Sequence, residues 1–190
     1  MKRVHHASPV RGLGRIVPHT STHGTPWVYA LGDEALASMF LSGYGGDFAC
    51  SIGRDGNTGK PYLCERFSGA LLERYQGRTG SIYTLDGTHF DVGMTSWAEE
   101  LVSSRPARVI HEMQVEDALD HLLELERLEE VLLIRYPQKI AGIPEDDEDL
   151  VWRACRWLRQ HGDGVLKAVE RFHPHLRDRV FKALRDQEDP

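Results

Sequence analysis

The spacing of apolar residues differs between the two parts of this chain of 190 residues, and that difference limits the fold more than any single residue does. Up to about Met113, apart from one helical stretch after Asp33, the apolar residues come in short runs bounded by Gly, Pro and Asp, whereas from Val115 onward they recur mainly at helical spacing. The order predicts an α+β protein: a mainly antiparallel β body, flanking helices, and a helical cap at the C-terminal end.

A first strand is predicted from Val4 to about Pro9. Pro9, Gly12, Gly14 and Pro18 then break regularity and lead into a polar loop over 19–26. Residues 27–30 form a second strand. Asp33 follows as the N-cap of a helix that carries Ala35, Leu36, Met39 and Phe40 on one side and ends before Gly43. Strands over 48–52 and 62–67 flank a connection rich in turn residues, 54–59, as a hairpin requires. Residues 81–85, 101–103 and 108–113 are further strands. The helix over 115–130 places Ala118, Leu119, Leu122, Leu123, Leu125 and Leu128 on one wide apolar face. After an acidic linker at 145–149, helices are predicted over about 150–160 and 164–186, the second kinked or divided at His173-Pro174. The domain boundary is placed between 140 and 141, with 141–190 as linker and helices packed on the body.

The net charge of −6 argues against broad binding to nucleic acid, because affinity for phosphates comes from clustered Lys and Arg. Acidic residues gather between Glu112 and Asp149 and basic ones after Val151, a pattern solvated helix faces produce. Cys50, Cys64 and Cys155 are odd in number and widely spaced, which fits buried reduced thiols. The ten histidines show no ligand spacing, so no metal is expected. No apolar run approaches the roughly 20 residues of a membrane span, and none follows Met1 in the manner of a signal peptide. A soluble cytoplasmic protein without membrane partners is the expectation.

Three short pieces carry chemistry: His6-Ala7-Ser8, the pair Tyr29 and Phe40 eleven residues apart, and Glu100 opening the strand Glu100-Leu101-Val102-Ser103. Two rings facing across a slot gain about 0.5–2 kcal/mol each on a flat cation. They also fit two ordinary core aromatics. An imidazole can fix a sugar through its hydroxyls, with Ser8 adding a second contact; a histidine satisfied at a strand edge is the plainer reading. His5 lies one residue from His6, so strand alternation lets at most one of the pair enter a pocket. A carboxylate can stabilise the positive charge that grows on a sugar as its glycosidic bond breaks. Glu100 is the first choice for that role; Glu65, Glu99 and Glu112 compete with it.

In order, interval and setting these pieces resemble the ADP-ribosyltransferase superfamily, in its His-Tyr-Glu branch of diphtheria-type toxins and poly(ADP-ribose) polymerases. The resemblance covers roughly Val4 to Val115. It implies a split, mostly antiparallel sheet that binds NAD as substrate and needs no metal. Catalytic roles then fall to Glu100 and His6, and NAD contacts to His6, Ala7, Ser8, Tyr29 and Phe40. Ser96 and Trp97 take the acceptor side, where Trp97 serves either as a stacking platform or as a core anchor. The segment His23-Gly24-Thr25-Pro26-Trp27-Val28-Tyr29 stands where the family carries Gly-x-Gly-x-Tyr-Phe. Ala7 replaces the family's glycine, whose backbone holds the carboxamide, and Phe40 replaces a tyrosine. Ala98 occupies the position from which arginine-modifying relatives present a second Glu or Gln, which disfavours arginine as acceptor.

The resemblance implies transfer of ADP-ribose from NAD to an unknown acceptor: a protein, a nucleic acid or a small molecule. Three alternatives stay open: an NAD glycohydrolase; an RNA 2′-phosphotransferase-like enzyme, for which Arg3, Arg11 and Arg15 are available; and an inactive interaction module of the same fold.

Overall fold

Backbone pairing divides the chain into two compact units, one of residues 1–43 and 75–131, the other of 44–74 and 132–190. The computed structural model describes residues 2–20, 24–42, 48–162 and 164–186. Ser21, Thr22 and His23 of the polar loop lie outside the described residues. In chain order the first half runs β1 (Arg3–Ser8), β2 (Arg15–Ile16), β3 (His19–Thr20), β4 (Pro26–Leu31), α1 (Glu34–Ser38), β5 (Cys50–Arg54), β6 (Pro61–Glu65), α2 (Ala70–Tyr75) and β7 (Gly80–Asp86). The second half continues with β8 (Asp91–Val92), β9 (Glu100–Ser103), β10 (Ala107–Val115), α3 (Ala118–Arg127), β11 (Leu132–Ile134), α4 (Glu148–His161), α5 (Gly164–Phe172) and α6 (Arg177–Arg185). The protein is thus mixed α+β with mostly antiparallel pairing.

The first unit holds an eight-stranded antiparallel sheet in the order β2-β10-β7-β1-β4-β9-β8, with β3 paired to β4. Alternation puts Val4, Val28, Ala30, Tyr83, Leu85 and Leu101 into one buried cluster. Helix α1 packs on β1, β4 and β7. Asp33 caps it as predicted, its carboxylate accepting from Leu36 N at 3.2 Å. Helix α3 is shorter than its apolar pattern suggests. Val115 stays in β10, paired with Gly80, and Asp117 caps the helix by accepting from Leu119 N at 2.8 Å. Leu119, Leu122 and Leu125 are buried, while Leu123 and Leu128 are exposed.

In the second unit the predicted hairpin forms between β5 and β6, and Asp55 tightens its turn by accepting from Thr58 N and Thr58 Oγ1 at 3.0 and 2.6 Å. Strand β11 adds to β6 in parallel. It was not predicted, although the run Val131-Leu132-Leu133-Ile134 between Glu130 and Arg135 carries its signal. The compact units divide the chain elsewhere than at 140/141: the first ends at Val131 and omits 44–74, and β11 of the second pairs with the hairpin strand β6. Helices α4, α5 and α6 bury Leu150, Val151, Cys155, Val169 and Val180 around Phe48. The division at His173-Pro174 is complete, giving α5 and α6 where one interrupted helix was expected.

All three cysteines are buried and unpaired, and burial pushes the Cys50 thiol up to about 12. Among the described residues no helix is long and apolar enough to cross a membrane.

Candidate functional site

The site grows from one irregularity in the large sheet. Strands β1 and β4 meet at a single register pair, His5 with Leu31. Beyond it β1 stays paired to β7 through Ser8, and β4 stays paired to β9. The two strands therefore part along His6-Ala7-Ser8, and a cleft opens in the first unit. Its cavity volume is about 110 Å³.

His5, His6 and Ala7 of β1, Tyr29, Ala30 and Leu31 of β4, Ala37 and Phe40 at α1, and Trp97 with Glu100 at the start of β9 line this cleft. Of the residues singled out from sequence, His6, Ala7, Tyr29, Phe40, Trp97 and Glu100 come together here. Ser8 and Ser96 do not. The Ser8 hydroxyl accepts from Val10 N at 3.2 Å, and Ser96 is exposed. Sequence reasoning missed the apolar wall of Ala30, Leu31 and Ala37, and it let only one histidine in. Both border the cleft, because the strands separate immediately after His5.

Each imidazole has a distinct partner. His6 Nδ1 lies 2.7 Å from the carbonyl oxygen of Tyr29. A carbonyl only accepts, so Nδ1 carries the proton and Nε2 keeps a free lone pair. Burial lowers the His6 pKa, against the raising effect of that hydrogen bond. His5 Nδ1 lies 3.3 Å from Glu34 Oε2, a contact of charge without a hydrogen bond. Burial lowers the His5 pKa too, opposed by Glu34 and Asp33.

Antiparallel register aligns Thr84, His5, Leu31 and Glu100 in one cross-strand row, so their side chains leave the same face of the sheet. Two steps of about 4.5–5.5 Å separate the Cα atoms of His5 and Glu100 by roughly 10 Å. The aromatic wall has three members. Phe40 and Trp97 rings stand 5.7 Å apart at 42°, and Tyr29 meets Trp27 edge-on at 6.1 Å. Trp97, assigned to the acceptor side from sequence, thus shares the cleft with the ring pair. Among the described lining residues none is Lys or Arg. Aromatic faces, a carboxylate and neutral imidazoles suit a flat cation that carries hydroxyls.

Two of the competing carboxylates, Glu65 and Glu112, are engaged elsewhere. Glu65 is buried in the second unit, where Oε1 accepts from Leu71 N at 2.8 Å and Oε2 from Tyr136 N at 3.0 Å. It ties backbone, with both oxygens used. Glu112 Oε1 accepts from Gly12 N, Ser81 Oγ and Tyr83 OH at 2.9, 2.6 and 3.1 Å, and the Gly12 N–H above all holds its carboxyl below the usual range. Arg11, considered for phosphate recognition, donates to Val115 O at 2.8 Å and pairs with Glu116.

No protein-family model, no curated protein and no solved structure matches the chain.

Proposed function

We propose that the protein is an NAD-dependent ADP-ribosyltransferase that breaks the bond between nicotinamide and ribose and passes ADP-ribose to an acceptor. The observation that supports this reading best is the meeting of Tyr29, Phe40, His6 and Glu100, drawn from three strands and a helix end, around a single cleft.

Nicotinamidium stacks against Tyr29 and Phe40, while the backbone N–H and C=O of Ala7 hold its carboxamide. His6 accepts from a ribose hydroxyl through Nε2. Glu100 accepts from the 2′-hydroxyl of the nicotinamide ribose and stabilises the cationic sugar as C1′–N cleaves and neutral nicotinamide leaves with the bonding electrons.

Turnover of labelled NAD by the wild type beside Glu100→Gln is the test. A loss of about 100-fold to 1000-fold in the variant is expected. Equal turnover removes Glu100 from its role, and absence of turnover by the wild type overturns the reading. Mass spectrometry separates a transferase, which leaves ADP-ribose on a partner, from a glycohydrolase, which releases it free.

A further inference from the structure

Once Glu100 is committed to the ribose, the reaction still lacks a group to take the acceptor's proton. His5 stands on the same face of the sheet as Glu100, one row-member away across Leu31, and it borders the cleft. Its side chain is 15% exposed, and its Nδ1 lies 3.3 Å from Glu34 Oε2 at the first turn of α1. We propose that His5, oriented by Glu34, is the general base that deprotonates the acceptor.

Nδ1 is buried against the Glu34 carboxylate, 3.3 Å away and without a hydrogen bond, so an acceptor's proton reaches the ring at Nε2. The negative charge of Glu34 then stabilises the imidazolium that forms. Helix α1 is set for this task by its cap: Asp33 fixes the first turn, and Glu34 projects from the first helical position. Ser38 Oγ lies 2.9 Å from Glu34 O and 3.1 Å from His121 Nε2, so the turn that carries Glu34 is tied to α3 as well. His6 is a poorer base, since the groups acting on its ring are the Tyr29 carbonyl and His19, with no carboxylate among them.

The step rests on the proposed NAD reaction and balances as follows. The C1′–N bond breaks and its electron pair leaves with nicotinamide. An acceptor hydroxyl, or water, forms the new C1′–O bond from an oxygen lone pair. Its proton passes to His5 Nε2 and from there to solvent.

The charged groups around His5 set the pH dependence. Glu34 and Asp33 on the α1 side raise its pKa, Arg3 on its own strand lowers it, and burial lowers it more than any of these. Glu100 shares its row, and its other register partners, Thr84 and Leu31, are uncharged. A base must be neutral, so activity rises with pH through the His5 pKa, which lies below 6.5.

The test compares wild type, His5→Asn and Glu34→Gln for kcat, KM and pH profile with NAD, beside NAD binding by calorimetry. His5→Asn is expected to lose roughly 100-fold to 10,000-fold in kcat with little change in NAD affinity, to lose the acid limb, and to regain activity with added imidazole. Glu34→Gln, a change at a partly exposed helix start, is expected to move the acid limb to lower pH. An unchanged kcat and acid limb in His5→Asn, with the wild type active, overturns the role of His5 and leaves the NAD reading standing. A His5→Asn protein that fails to bind NAD passes the decision to Glu34→Gln, whose unshifted limb overturns the proposal. An inactive wild type removes the NAD reading and this step together.

Discussion

His6 Nδ1 bonds the carbonyl oxygen of Tyr29 at 2.7 Å and so bridges two strands that otherwise pair only through His5 and Leu31. The bond seals the cleft's floor with a neutral ring. That neutrality has a thermodynamic consequence, because folding then excludes a proton the unfolded chain binds.

Four histidines behave in this way. His5, His6, His121 and His173 all have pKa values lowered, in each case first by burial. The folded state binds fewer protons than the unfolded state in the window just below 6.5, so stability rises with pH there. Stability is therefore whole above the unfolded-state value of 6.5 and falls as pH drops through it toward the folded values. Urea unfolding followed at several values between pH 5 and 8 checks this, and the expected result is a midpoint that falls on the acid side of about 6.5. A midpoint constant from 8 to 5 contradicts the neutral, buried histidines.

The Phe40 and Trp97 ring pair makes a separate prediction about binding. Phe40 is 42% exposed, so its truncation removes a wall of the cleft with little core to disturb. Phe40→Ala is expected to weaken NAD binding by about 0.5–2 kcal/mol, up to roughly 30-fold in Kd. Phe40→Tyr, which keeps the ring, holds the affinity near wild type. Nicotinamide is also expected to quench the fluorescence of Trp97, and Trp97→Phe removes that component. Titration with no loss in Phe40→Ala means that the ring is a bystander.

Much of the fold was legible because local chemistry agreed with the period of the pattern. Asp33 caps α1 where a short polar residue precedes an apolar-periodic run, and Arg54 to Lys60 turn where Asp, Gly and Asn cluster. What failed was long-range. Leu132–Ile134 is assigned to no element until β6 provides an edge for it, so the partition of the chain into units followed pairings that sequence does not print. The site shows the same limit. His6, Tyr29, Phe40 and Glu100 were picked by order and spacing, but the presence of His5 depends on where two strands diverge, a register fact. Ser8 stands outside the cleft lining for a local reason: the chain bends at Pro9, and its hydroxyl accepts from Val10 N.

Arg66 anchors the acidic linker of the second unit, and its loss is the severest single change expected there. Its side chain is fully buried, donating to Asp149 through both terminal nitrogens at 2.6 and 2.8 Å, to Asp147 at 2.8 Å and to Ser51 Oγ at 2.8 Å. For both aspartates burial is the largest single influence and raises the pKa, yet the hydrogen bonds and charge of Arg66, joined by Lys139 at Asp147 and by Arg153 at Asp149, together outweigh it and hold the carboxyls below 3.8. Their contribution to stability is present above that unfolded value and is lost as pH falls through the lower folded ones, a window separate from that of the histidines. Arg66→Met takes the main counter-charge from two partly buried carboxylates, leaving Lys139 at 3.0 Å from Asp147 and Arg153 at 3.9 Å from Asp149, for an expected cost of up to about 3–5 kcal/mol. Arg66→Lys retains charge without the planar fork and is expected to fall between. Trp152 and Trp157 on α4 report unfolding of this unit by fluorescence in urea. An Arg66→Met protein as stable as wild type means that the cluster does not hold the linker, and that α4 is secured by its apolar face alone.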